Sequence, residues 1–108
     1  MNHSMLLLGL ISMTSMSLLA APPVQKDAKQ VYLDKCSVCH GEDGKGQTAK
    51  GKKLKVRSIH SAEVQKMTPA QLLEVVLKGK GQDMDGFEKE LGAEMCKKVT
   101  EYMLGLPK

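Results

Sequence analysis

Large aromatic side chains are almost missing from this 108-residue chain, which has no Trp, one Phe and two Tyr. Few side chains are therefore available to fill the centre of a small domain, and a self-sufficient core is not expected. Charge is missing from the first twenty residues, which hold no Lys, Arg, Asp or Glu, so the net charge of +4 belongs wholly to residues 21–108. No internal repeat occurs, and no stretch alternates with the period of a strand. The absence of a βαβ pattern excludes a thioredoxin-like domain. Basic residues without interleaved aromatics, and without a binding motif, argue against nucleic acid as a partner.

The uncharged opening reads as a targeting segment. Met5 to Ala21 is apolar and small, broken only by Ser, Thr and Gly, and it ends at Ala20–Ala21 ahead of Pro22–Pro23. That is a secretory h-region meeting a small-residue cleavage site, so residues 1–20 form a signal peptide and residues 21–108 the domain. No Lys or Arg precedes the run and the break is not A-x-A, so an uncleaved membrane anchor stays open, although the run is at the short limit for a bilayer span. No cysteine lies near the break to carry a lipid.

Cys36-Ser37-Val38-Cys39-His40 gives the domain its chemistry. C-x-x-C-H is the attachment signature of c-type haem. The two thiols add across the porphyrin vinyl groups, the two-residue gap lets both sulfurs reach one edge of the macrocycle, and the adjacent imidazole lies under the iron. A bare C-x-x-C could instead be half a zinc site or a redox pair. Zinc would need two further ligands from Cys96, His60 and His3. One haem c, covalent through Cys36 and Cys39 with its iron on His40, also supplies the apolar volume the chain lacks, and the apo chain is predicted to fold poorly. Attachment takes place on the oxidising side of a bacterial inner membrane, so motif and leader agree on a periplasmic protein, membrane-anchored if the leader is retained.

Three helices are predicted. Ala28, Val31, Tyr32 and Cys36 recur on one face from Asp27 to Cys36, with Lys26, Asp27, Lys29 and Asp34 elsewhere. Thr68-Pro69-Ala70-Gln71 reads as a capping box with proline at the first helical position, followed by an apolar run that Gly79 ends and that should be largely buried. Met95, Val99, Tyr102 and Met103 form the stripe of a helix over about 93–104, with Gly92 as its cap. Residues 41–58 read as an Ω-like loop rich in glycine. Within it Lys45, Lys50, Lys52, Lys53, Lys55 and Arg57 crowd together, either as a solvated face or as a docking patch for an acidic redox partner.

In these features the chain resembles the class I cytochrome c family, particularly its small bacterial monohaem members, over about residues 27–104. The resemblance implies an all-α bundle of three to five helices wrapped around one covalently bound haem, with the first and last helices crossing. Ala28 and Tyr32 match the family's small and aromatic positions on the first helix, with Ala in place of the usual Gly, and Tyr102 matches the aromatic on the last. Gly79-Lys80-Gly81-Gln82-Asp83-Met84-Asp85-Gly86-Phe87 is similar to the family's methionine loop, which implies Met84 as the sixth ligand, a thioether that favours ferrous iron. Asp85 stands where Pro is usual, which would loosen the loop. His60, Met67 or an open iron are the alternatives to Met84. No proline occurs between His40 and Pro69, so some carbonyl of the 41–58 loop should take the place of the one that usually orients the proximal ring. His60 reads as a solvent-exposed loop residue and Cys96 as a small buried hydrophobe.

The function implied is that of a monomeric periplasmic one-electron carrier with His40/Met84 axial ligation, not an enzyme, shuttling electrons between respiratory proteins whose acidic surfaces face the Lys45–Arg57 loop. Two alternatives remain: a haem subunit docked permanently in a respiratory complex, and a haem sensor or enzyme whose sixth position is open or displaceable.

Overall fold

Asp27 starts the first helix as its side chain requires: the carboxylate accepts the Gln30 N–H at 2.8 Å. In the computed structural model, which describes residues 26–108, helix α1 runs Ala28–Lys35 and ends when the Cys36 N–H reaches the Tyr32 carbonyl. The leader and its cleavage site lie outside the described residues. The C-x-x-C-H motif itself then coils into one further turn, α2 (Ser37–His40). Two short helices come next, α3 (Ala49–Lys53) capped by Thr48 and α4 (Ala62–Gln65) capped by Ser61.

The capping box forms as the sequence predicts. Thr68 Oγ1 accepts the Gln71 N–H at 3.2 Å, and the Thr68 N–H donates to Gln71 Oε1 at 2.9 Å. They open α5 (Pro69–Lys78), which Gly79 ends. A short antiparallel hairpin succeeds it, β1 (Gly79–Lys80) and β2 (Met84–Asp85), with Gly79 opposite Asp85 and Lys80 opposite Met84. The last helix, α6 (Glu88–Leu104), breaks its helical geometry at Gly92 (φ 79°, ψ 158°), so the segment from 93 onward is the helix that the apolar stripe predicts.

Helix α6 packs against both α1 and α5, and the core lies mainly between α1 and α6. Val31, Tyr32, Ile59, Val99 and Met103 are buried together, and Ala28 and Tyr102 pack on their margin. The Tyr32 and Tyr102 rings are tilted by 52° with centroids 5.3 Å apart, the aromatic crossing expected of the first and last helices. Each fully buried valine here is worth roughly 1.5–3 kcal/mol. Cys96 is 0 % exposed and fills the core as a small hydrophobe.

The mainly helical architecture agrees with the sequence, and the differences are local. Six helical segments occur among the described residues instead of three to five, because α2, α3 and α4 are too short to leave a hydrophobic period. The 41–58 segment contains α3 in place of a continuous loop. In α5 only Leu72 and Val76 are fully buried, since its apolar girth is shared between the core and a cavity. Thr68→Ala removes the cap and is expected to cost about 1 kcal/mol of stability, read as a lowered denaturant midpoint of the holoprotein at unchanged slope.

Candidate functional site

The turn that carries the two thiols is held by its neighbours at every carbonyl. Cys36 O accepts from the N–H groups of Cys39 and His40, and Ser37 O from that of Gly41 at 2.7 Å. Thr48 Oγ1 donates to Val38 O at 2.7 Å and approaches Cys39 O at 3.3 Å, while its lone pair caps α3 through Gly51 N–H. His40 O accepts from Gly46 N–H at 2.7 Å. Gly41 O accepts from Gly44 N–H and from the hydroxyl of Tyr32, the latter at 2.7 Å. Gly51 passes so close to this turn that a Cβ there would overlap the Cys39 and Gly46 carbonyl oxygens. The Ser37 hydroxyl donates back to Leu33 O, which leaves Val38 as the exposed large hydrophobe, 56 % accessible.

Over this turn opens a cavity of about 610 Å³. Cys36, Cys39 and His40 line it, and so do Met67 and Met84. Its apolar wall comes from Ile59, Val64, Leu72, Val75, Val76, Phe87, Val99 and Met103, and Lys50, Lys55, Arg57 and Lys80 also border it. His60 is not among the lining residues, and it is half-buried with an unpartnered Nε2 where the sequence suggested an exposed loop histidine. Met84 is half-buried and sits in the hairpin, so the loop that Asp85 was expected to loosen is tied by strand pairing at Met84 itself.

The donor set and the cavity fit a porphyrin. Apolar side chains suit its faces, lysine and arginine suit its carboxylates, and two thiols with an adjacent imidazole stand at one wall. Burial pushes the His40 ring below the ordinary imidazole value, which favours the neutral form that binds a metal. The His40 Nδ1 is buried with no hydrogen-bond partner, so the carbonyl expected from the 41–58 loop does not reach it. Burial, then the neighbouring Cys96 and Cys39, push the Cys36 thiol up to about 11. No group of three metal-ligating side chains gathers among the described residues, which gives the zinc reading no support there; His3 lies outside them.

A family model described as cytochrome C oxidase, cbb3-type, subunit III matches residues 23–103. The chain belongs to this family of c-type cytochromes. Solved structures agree on the kind of molecule. The KustC0563 c-type cytochrome is 31% identical with a TM-score of 0.69, over 77% of this chain and 100% of that one. The c-type cytochrome NirC has a TM-score of 0.56 at 18% identity, over 71% of this chain and 84% of that one. Dihydro-heme d1 dehydrogenase NirN in complex with DHE has 0.59 at 23%, over 74% of this chain and 16% of that one. The last two likenesses concern the fold alone. No curated protein matches.

The cytochrome therefore carries covalently bound haem c with its iron, and its family implies electron transfer through that haem. The four residues singled out from the sequence, Cys36, Cys39, His40 and Met84, all border one cavity. Sequence reasoning missed Thr48, Tyr32 and Gly51 as supports of the motif. The Thr48 cap was readable in principle, as a threonine ahead of a helical turn, but its bonds to the motif were not. Gly51→Ala forces the Cys39 carbonyl aside and is expected to cost about 1–3 kcal/mol and to lower the yield of haem-loaded cytochrome, measured by denaturation and by absorbance per polypeptide. The Cys36→Ser/Cys39→Ser chain, which cannot hold haem covalently, is expected to lose its cooperative thermal transition by circular dichroism.

Proposed function

We propose that the cytochrome is a periplasmic one-electron carrier in which Cys36 and Cys39 anchor the haem and His40 and Met84 are its axial ligands. The observation that carries this reading is that the motif and Met84 line the same apolar cavity. The haem supplies the one-electron couple. The protein's part is to keep its ligands in place so that little reorganisation accompanies each transfer. Cys36 and Cys39, set one helical turn apart on α2 and its cap, fix one edge of the porphyrin. The half-buried Met84, braced opposite Lys80, offers a neutral sulfur to the cavity. Asp83 and Asp85 flank Met84 at the cavity border, but a sixth position filled by Met84 leaves no place for substrate.

Export rests on the leader of residues 1–20 and on the chemistry of haem attachment, and no helix among the described residues is long and apolar enough to cross a membrane. The partners we infer carry acidic surfaces. None of Lys45, Lys50, Lys52, Lys53, Lys55 and Arg57 is in an ion pair among the described residues, and three of them border the cavity. Val38 gives the same region an exposed apolar centre beside the thiols. A second reading, a haem subunit docked permanently in a respiratory complex, draws support from the description of the family that matches.

Optical spectra of the holoprotein test the ligation. The ferric form is expected to show a low-spin spectrum with the weak methionine–sulfur charge-transfer band, and the ferrous form to resist carbon monoxide. Met84→Leu should abolish the band and admit carbon monoxide, while Met67→Leu should leave both unchanged. The reverse pattern would make Met67 the ligand, and carbon monoxide binding to the unaltered protein would favour a sensor or enzyme. For the docking charge, reduction by an anionic reagent is expected to slow as salt rises, and Lys50→Glu/Lys52→Glu/Lys53→Glu to slow it roughly tenfold at low salt, in stopped flow.

A further inference from the structure

An axial imidazole is ordinarily aimed by the hydrogen bond that its other nitrogen makes. His40 has none: Nδ1 is buried and without a partner. The carbonyls closest along the chain are already engaged, His40 O by Gly46 N–H and Gly41 O by Gly44 N–H and Tyr32. A ring in that condition takes its direction from the backbone that bears it, and that backbone is gripped on both sides. Before the ring, the His40 N–H is tied to Cys36 O at 3.0 Å. After it, Gly41 is buried at φ +79°, a conformation that would strain any side-chain-bearing residue, and its carbonyl is held by the Tyr32 hydroxyl.

Tyr32 is well placed to act as a fixed point. It is 0 % exposed, belongs to α1 nine residues before Gly41, and stacks on Tyr102 of α6, so its hydroxyl cannot swing. Burial raises the hydroxyl far above the ordinary phenol range, with Cys36 and Asp43 adding to it, so the group remains a hydrogen-bond donor throughout the working pH range.

We propose that Tyr32 is the positioning residue of the axial histidine: by holding the Gly41 carbonyl, its hydroxyl sets the orientation of the His40 imidazole in place of the missing ring hydrogen bond. This rests on the reading of His40 as iron ligand. The packing of the α1–α6 crossing is thereby transmitted to the iron through one hydroxyl and one peptide unit.

The test compares Tyr32→Phe with Tyr102→Phe in the haem-loaded protein. Tyr102 shares the aromatic stack, but its hydroxyl makes no hydrogen bond among the described residues. Both changes keep the ring, and each is allowed to lower the melting temperature. Only Tyr32→Phe is expected to broaden the low-spin ferric electron paramagnetic resonance signal and to shift the midpoint potential. If Tyr32→Phe changes melting alone, or if both variants shift the potential equally, Tyr32 is a packing residue and the proposal fails. If Tyr32→Phe loses haem, 3-fluorotyrosine at position 32 takes its place. That analogue keeps the ring and makes a stronger donor, so a shifted potential supports the proposal and an unshifted one overturns it. Failure of the underlying reading looks different: His40→Ala would then retain the histidine-type low-spin signal of the unaltered protein.

Discussion

Five of the six consecutive carbonyls from Cys36 to Gly41 have a donor, the sixth, Cys39 O, shares the Thr48 hydroxyl at 3.3 Å, and the rest of the molecule is arranged to provide these donors. Local turns serve the first two; the next four need Thr48, Gly46, Gly44 and Tyr32, contributed by a loop and a helix on either side. A buried carbonyl without a donor costs about 1–3 kcal/mol, so a turn of this kind is stable only when its surroundings are complete. That requirement explains features that are otherwise odd for so small a domain. Helix α3 is barely a turn and a half, yet it is capped, because the threonine that caps it is the same one that ties down Val38 and Cys39. Glycine stands at 51 because the helix must pass within contact of the turn it supports.

The coupling of α3 to the motif also determines where charge is presented. Lys50, Lys52 and Lys53 ride on the helix that Thr48 tethers, so their backbone positions are as fixed as those of the thiols. Elsewhere three lysines sit beside carboxylates. Lys26 faces Asp34, Lys35 faces Glu90 and Lys78 faces Glu88, pairs that are solvated and contribute little to stability. None of these pairs involves the cations of the 45–57 segment. A short-range electrostatic patch on a rigid support steers an approaching protein better than the same charge spread over mobile side chains would.

What could be read from the residues and what could not divides by range. The Thr68–Gln71 box, Gly79 and Gly92 are local signals, each acting within one turn, and the structure uses each at or near its expected place, while Asp27, read as part of the first helix, is its cap. The two tyrosines of the helix crossing were legible because a family pattern brings them together, and Cys36, Cys39, His40 and Met84 at the cavity border were legible from the motif and the methionine loop, whereas its apolar wall was not. The short helices were not, since four or five residues carry no period and exist only where tertiary bonds hold them. The strand pairing at Met84 escaped for the same reason, being two residues long on each side. His60 was misread because a polar sequence neighbourhood does not announce the partial burial it has beside the buried Ile59. Tyr32 was assigned correctly to the crossing, but the role of its hydroxyl depends on Gly41 arriving beneath it, which no spacing rule specifies.

The two residues between the thiols are not equivalent. Ser37 is spent on the backbone of α1, while the side chain of Val38 stands more than half in solvent at the border of the cavity. Its main chain is locked by Thr48 all the same. Position 38 is thus a side chain on a held backbone, set between the two cysteines of the motif. A different side chain there changes what the molecule offers to its surroundings at the rim of the cavity, while the Thr48 bond to the main chain does not depend on it. An electrode surface or a synthetic partner can be addressed through that single site.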